Sequence, residues 1–224
     1  VEVFAFTDRR QAGSLLGEAV SGLRLSDPVV IGLPRGGVVV AKEVATRLSA
    51  DLDVLVVRKV GAPGQPELGI GAVAEGEEDA LLAPMAHQLV RDPAVLQALV
   101  EEARRALAAQ AALLRGTARA PLDVRGREVV VIDDGIATGV TMEAAVGAIR
   151  KRGAKRVVVA APVAAEETAK KLESIAEVCV LLRVRDLWAV GVWYQDFTQV
   201  TDQEVLEALG GAAGGKGTNP EVNY

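Results

Sequence analysis

Two adjacent carboxylates, Asp133 and Asp134, stand at the end of the apolar run 129–132 and are followed at once by Gly135, Ile136, Ala137, Thr138, Gly139, Val140 and Thr141. Neighbouring side chains at a strand end point to opposite sides, so only one acid faces a ligand squarely unless the chain is already turning, and Gly135 permits that turn. Gly135, Gly139 and the hydroxyls of Thr138 and Thr141 then form a run of backbone N–H groups at a helix N-terminus, where phosphate is favoured. The helix dipole supplies only about 0.3–1 kcal/mol, against roughly 1.5–3 kcal/mol for each hydrogen bond to a charged group, so convergent donors must hold the anion. Carboxylates beside such a cradle repel phosphate unless the ligand also offers them donors. A sugar 5-phosphate does both, with ring hydroxyls on Asp133 and Asp134 and its phosphate on the loop.

Rival motifs fail on particular residues. No lysine follows Gly139, which excludes a Walker A loop, and the Gly-x-Gly-x-x-Gly dinucleotide fingerprint is absent. An acidic receiver pocket would carry its acids after the first strand. The plain alternative is a tight turn with solvated acids and a capping threonine.

The elements that must position this segment are short Val/Ile-rich runs alternating with helical-period segments, the pattern of an α/β domain with a mostly parallel sheet. Strands are expected at 29–33, 54–58, 128–132, 156–161 and 178–182, apolar enough to be covered on both faces. Helices are expected at 37–50, 141–152 and 164–174, with a long one from Asp92-Pro93 toward Arg115, where Asp92 caps and Pro93 opens the first turn. The stretch 61–78, glycine-rich with two prolines, four acids and no basic residue, reads as a mobile loop with one short strand. A last helix is expected near 202–209, then a flexible glycine-rich tail over 210–224.

With 224 residues, 25 Lys and Arg, 30 Asp and Glu and half its residues apolar, the chain reads as one soluble globular domain over 1–209. The net charge of -5 argues against nucleic acid as a partner. One cysteine, Cys179, and one histidine, His87, cannot build a Cys/His zinc site and fit a cytoplasmic setting. The apolar stretches reach about half the ~20 residues of a spanning helix, so no membrane is expected, and the first residues show no secretory signal.

Residues 129–141 resemble the phosphoribosyl pyrophosphate (PRPP) motif of type I phosphoribosyltransferases over its whole length. The resemblance implies a five-stranded parallel core with helices on both faces, a flexible loop, and a small C-terminal hood, here near 183–200, with an inserted loop and helix near 61–120. It further implies transfer of a phosphoribosyl group from PRPP to a nitrogenous base or amine, assisted by Mg2+ and releasing pyrophosphate, by an enzyme that is often a homodimer. In family terms Asp133 and Asp134 contact the ribose hydroxyls, and Gly135 and Ala137–Thr141 hold the 5-phosphate. The family's hypoxanthine/guanine members carry an acid where this chain has Ala137, which argues against those bases. A PRPP-sensing module with little catalysis, and a sugar-phosphate binder indifferent to the diphosphate, are the competing readings.

Supporting sites follow from the same resemblance. The turn Pro34-Arg35-Gly36-Gly37, after the first strand, corresponds to the pyrophosphate loop, with Arg35 as a charged fork. An ordinary βα turn is its plain alternative. Arg58 and Lys59 end the expected second strand, at an edge where a departing diphosphate needs neutralising, and Lys59 is the candidate catalytic cation. Arg104 and Arg105 either compensate for the loop's missing cations or are solvated helix charges. Trp188, Trp193, Tyr194 and Phe197 cluster in the expected hood, either as stacking platforms for a base, chiefly Trp193, Tyr194 and Phe197, or as the seal of a small core. Asp196, with Asp133 and Asp134, is the candidate neighbour of magnesium or diphosphate.

Overall fold

The computed structural model describes residues 5–115 and 120–210; the expected tail at 211–224 lies outside the described residues. The first helix, α1 (Arg9–Ser21), starts at Asp8, whose carboxylate accepts the Gln11 N–H at 2.8 Å. There follow β1 (Pro28–Gly32), α2 (Gly36–Leu48), β2 (Asp51–Val54), β3 (Val57–Ala62), β4 (Gln65–Ala74) and β5 (Leu81–Leu82). Next come α3 (Ala86–Leu89), α4 (Pro93–Arg115), β6 (Glu128–Ile132), α5 (Val140–Lys151), β7 (Arg156–Ala165), α6 (Glu166–Glu173) and β8 (Glu177–Val184). A single 3-10 turn, Val190–Trp193, and α7 (Asp202–Gly210) complete the described chain.

Five strands pair in the order β2-β1-β6-β7-β8, all parallel. Strict alternation splits their apolar side chains between two layers. Val30, Val130, Ile132, Val158 and Ala160 pack with α1, α2 and α7, while Val29, Ile31, Val129, Val131 and Val159 pack with α5 and α6. Helices therefore cover both faces, as the near-continuous apolar runs require.

Two expectations need correction. The run 54–58 is not one strand: β2 ends at Val54, buried Leu55 and Val56 turn the chain, and β3 begins at Val57 in a different sheet. The stretch 61–78 is not a loop but contributes to an antiparallel hairpin, in which Val57 pairs with Ala74 and Lys59 with Ala72. Small residues at alternate positions let this hairpin lie against α4 and α5 with Val60, Ile70 and Val73 buried, so glycine content marked close packing rather than mobility. The buried guanidinium of Arg115 ties this sheet to the main one, bonding Asp53 of β2 and Glu75 just beyond β4. Asp92 accepts the Ala94 N–H at 2.9 Å at the start of α4, as its cap position predicts.

Candidate active site

β1 and β6 are neighbours at the centre of the parallel sheet, in register Gly32 with Ile132, so the turns that follow them open side by side. From β1 the chain steps outward to β2 on one side while β6 adds on the other, the switch point at which open sheets receive ligands. The two turns touch. A Cβ on Gly36 would lie 1.9 Å from Asp134 Oδ2, and one on Gly37 2.7 Å from the Ile132 carbonyl oxygen, so only glycine allows this approach.

Ile132 faces the α1 layer, and the turning chain brings Asp134 back to that side. There its Oδ2 accepts from Arg9 Nε at 2.7 Å, with the two side chains 16% and 10% exposed. Arg9 also donates from Nη1 to the Thr198 carbonyl at 2.9 Å and lies 3.8 Å over the ring of Phe197. Asp133 Oδ1 accepts the Asp134 N–H at 2.9 Å. Burial pushes the Asp133 carboxyl well above the ordinary carboxylate range, and the charge of Asp134 pushes it the same way. Asp134 is raised by burial too, with Arg9 pulling against it. The pair thus resists carrying two full negative charges.

Beyond the acids the loop is braced from β7. Ile136 donates to the Val163 carbonyl and accepts from the Ala165 N–H, both at 2.9 Å, and Thr168 Oγ1 donates to the Ala137 carbonyl at 2.6 Å. β7 runs to Ala165, past the expected end at 161, and those extra residues make this brace. Gly139 caps α5 at φ +77° without a side-chain hydrogen bond, and the first helical bond runs from Glu143 N to Gly139 O at 2.8 Å. The amides ahead of Glu143 therefore have no acceptor inside the helix, the arrangement that favours anions at helix N-termini. Glu143 itself, an acid in this first turn, pairs with Lys171 at 2.6 Å.

A phosphoribosyl transferase domain model matches residues 8–196, a span that takes in the Asp8 cap, both turns and Asp196. The chain belongs to the phosphoribosyl transferase domain family. It is 42% identical over 210 residues, 91% of its length, to a Mycobacterium tuberculosis protein bearing the name "Putative phosphoribosyl transferase" in strains CDC 1551 and H37Rv. It spans 46% of the length of those relatives. The crystal structure of TT1426 from Thermus thermophilus superposes with a TM-score of 0.80 at 47% identity, covering 94% of this chain and all of that one.

Within this phosphoribosyl transferase domain the other expected site residues divide. Gly135 lies directly under the hood, since a Cβ there would meet Val190 Cγ1 at 2.3 Å. Thr138 is exposed, and Ala137, Val140 and Thr141 are half-buried around the loop. Pro34 and Arg35 form the turn after β1, and Gly36 and Gly37 open α2; Arg35 leans toward Asp202 of α7, 3.8 Å away. Arg58 and Lys59 do not end a strand of the parallel sheet. They lie on β3 and line a groove of about 330 Å³ with Leu99, Glu102, Ala103 and Ala106 of α4, so the sheet-edge argument for Lys59 as catalytic cation loses its premise. Arg104 is half-buried and donates to the Glu78 carbonyl, whereas Arg105 is exposed, as a solvated helix charge would be.

The hood aromatics also part company. Tyr194 is 2% exposed, its ring packed between Phe6 and Phe197 at centroid distances of 5.3 and 4.9 Å, so it seals a small core and cannot serve as a base platform. Phe197 is taken up by Tyr194 and Arg9. Trp193 is half-buried and Trp188 exposed. Asp196 accepts from both the N–H and the hydroxyl of Thr198, contacts that hold its carboxyl below the usual range. Among the described residues no three metal-ligating side chains converge, and no helix is long and apolar enough to cross a membrane. Sequence reasoning missed Arg9 and the pairing of Phe6 with Tyr194 across the hood; the Asp8 cap that starts α1 is the one local signal that pointed there.

Proposed function

We propose that this domain transfers the 5-phosphoribosyl group of PRPP to a nitrogenous base or amine with release of pyrophosphate. The observation that carries the reading is the contact between two strand-to-helix connections: an acid pair leading into the N-terminus of α5, which has no side-chain cap, directly against Gly36 and Gly37 at the start of α2. The start of α5 takes the 5-phosphate, Asp133 and the free edge of Asp134 take the ribose hydroxyls, and the Pro34–Gly37 turn takes the diphosphate.

As the bond from C1 to the diphosphate oxygen breaks, its electron pair leaves with the diphosphate and positive charge grows on the ribose. The half-buried carboxylates steady that charge, and a nitrogen lone pair then forms the new bond at C1 and sheds its proton. The donor set fits a hard cation such as magnesium: Asp133 and Asp134 would hold it, and among the described residues no third ligating side chain joins them. Bound there, it would supply positive charge to the diphosphate. The acceptor enters under the hood, beside Val190 and Trp193. A cytoplasmic homodimer completes the proposal, consistent with a single free Cys179.

A second reading, a PRPP sensor with little turnover, is favoured by the absence of Lys and Arg between residues 61 and 78. PRPP-dependent pyrophosphate release, screened over purine, pyrimidine and amine acceptors, separates the two: release at an enzyme-like rate supports the transferase, and tight PRPP binding without turnover supports the sensor. Changing Asp133 and Asp134 together to Asn is expected to abolish most PRPP affinity in calorimetry without unfolding the chain. Unchanged affinity would overturn the site assignment.

A further inference from the structure

Resting on that reading, we propose that Arg9 is a positioning residue for the ribose site, holding Asp134 in place and making the acid pair depend on the docked hood. Three contacts converge on its guanidinium, and a fourth piece of chain passes close beside it. Nε bonds Asp134 Oδ2 at 2.7 Å, Nη1 bonds the Thr198 carbonyl at 2.9 Å, and the plane stacks 3.8 Å over Phe197. The fourth is the turn after β1, where a Cβ on Gly36 would sit 2.7 Å from Nε. Acid pair, diphosphate turn and hood therefore meet at one side chain.

The chemistry asks for such a group. Two carboxylates in sequence stand beside an anion cradle, and without compensation they would repel the phosphates they serve. Arg9 engages Oδ2 of Asp134, so a diol bound there would be accepted by the other carboxylate oxygen, next to Asp133. Only a planar fork can reach carboxylate, carbonyl and aromatic face together; a lysine ammonium supplies the charge but not the geometry. The hood is fastened to the same residue from the other side, because Tyr194 donates its hydroxyl to the Asp134 carbonyl at 2.6 Å. Displacing the hood thus loosens the acid.

The test compares the wild type with Arg9→Lys and Arg9→Met by calorimetry, using PRPP, ribose 5-phosphate and inorganic phosphate as ligands, with circular dichroism to check folding. Arg9→Met is expected to weaken both sugar phosphates at least tenfold while leaving inorganic phosphate at the 137–141 loop unchanged, and Arg9→Lys to fall between. Should Arg9→Met fail to fold, Arg9→Lys carries the comparison, with at least a threefold loss for ribose 5-phosphate and none for phosphate. Variant affinities equal to those of the wild type for all three ligands overturn the inference, as does a loss shared by phosphate and sugar phosphates, which would mark Arg9 as merely structural. A wild type that binds neither sugar phosphate overturns the transferase reading itself, and this inference with it.

Discussion

The hydroxyl of Tyr194 donates a 2.6 Å hydrogen bond to the main-chain carbonyl of Asp134, so the hood is bonded to the backbone of the acid pair itself. Burial in the Phe6–Phe197 cluster raises the phenol far above its ordinary range, with Asp134 adding to the effect, and the group stays a neutral donor. A base-stacking role is thereby replaced by a tether.

Tyr194→Phe removes only that donor. The Asp134 carbonyl loses its partner at a cost of about 1–3 kcal/mol, and a domain of this size loses about 2–4 °C of Tm per kcal/mol. Differential scanning calorimetry reads the shift. A Tm equal to that of the wild type would show the tether to be dispensable.

Asp133→Asn is expected to stabilise the fold at neutral pH. A carboxyl whose folded pKa is raised binds more protons folded than unfolded, so its burial costs stability once pH rises above its unfolded value, and increasingly until the folded pKa is passed. The variant escapes this cost, with Tm higher by about 2–4 °C for each kcal/mol recovered. Its advantage should be largest at neutral pH and vanish as pH falls to the unfolded carboxylate range. An advantage that grew on acidification would reverse the sign of this argument.

Gly139→Ala combines two penalties: the positive φ of +77°, and a new Cβ 2.6 Å from Thr168 Cγ2. Together they are expected to cost about 1–3 kcal/mol and to weaken phosphate binding at the loop. Thr168→Ser deletes the obstructing methyl but keeps the hydroxyl that bonds Ala137, so the double variant should recover the steric part and not the backbone part. Urea titrations of the four proteins give the coupling directly.

Arg115→Met removes the guanidinium that Asp53, Glu75 and the Val54 carbonyl share in the seam between the two sheets, leaving the two carboxylates only backbone donors such as the Leu122 and Val56 N–H groups. Removing one partner of a buried ion pair costs about 3–5 kcal/mol. Hydrogen exchange should quicken first in the β3–β4 hairpin, while the central β1 and β6 amides hold until global unfolding. Uniform exchange across both sheets would argue against the seam.

The loop half of the candidate site was legible in sequence because its parts are contiguous. Strand, acids, glycine turn and helix start lie within residues 129–141, and local backbone geometry alone sets their order and shape. The α/β class followed from the same kind of signal, since apolar runs buried on both faces alternate with helical periods. Residues 54–58 misled because a buried bend and a buried strand share one composition, and 61–78 because small residues serve tight packing as well as motion.

What only the folded chain decided is what joins residues far apart. Arg9 meets Asp134 across 125 residues and Tyr194 meets it across 60, and neither spacing carries a periodic or local trace. Such pairs are chosen by which side chains the packed layers leave facing one another in a low-dielectric interior. The sequence by itself determined that a strand, an acid pair, a glycine turn and a helix start follow one another over 129–141; tertiary packing decided that one of the two acids is anchored by an arginine, and that the segment around Tyr194 is fastened to it.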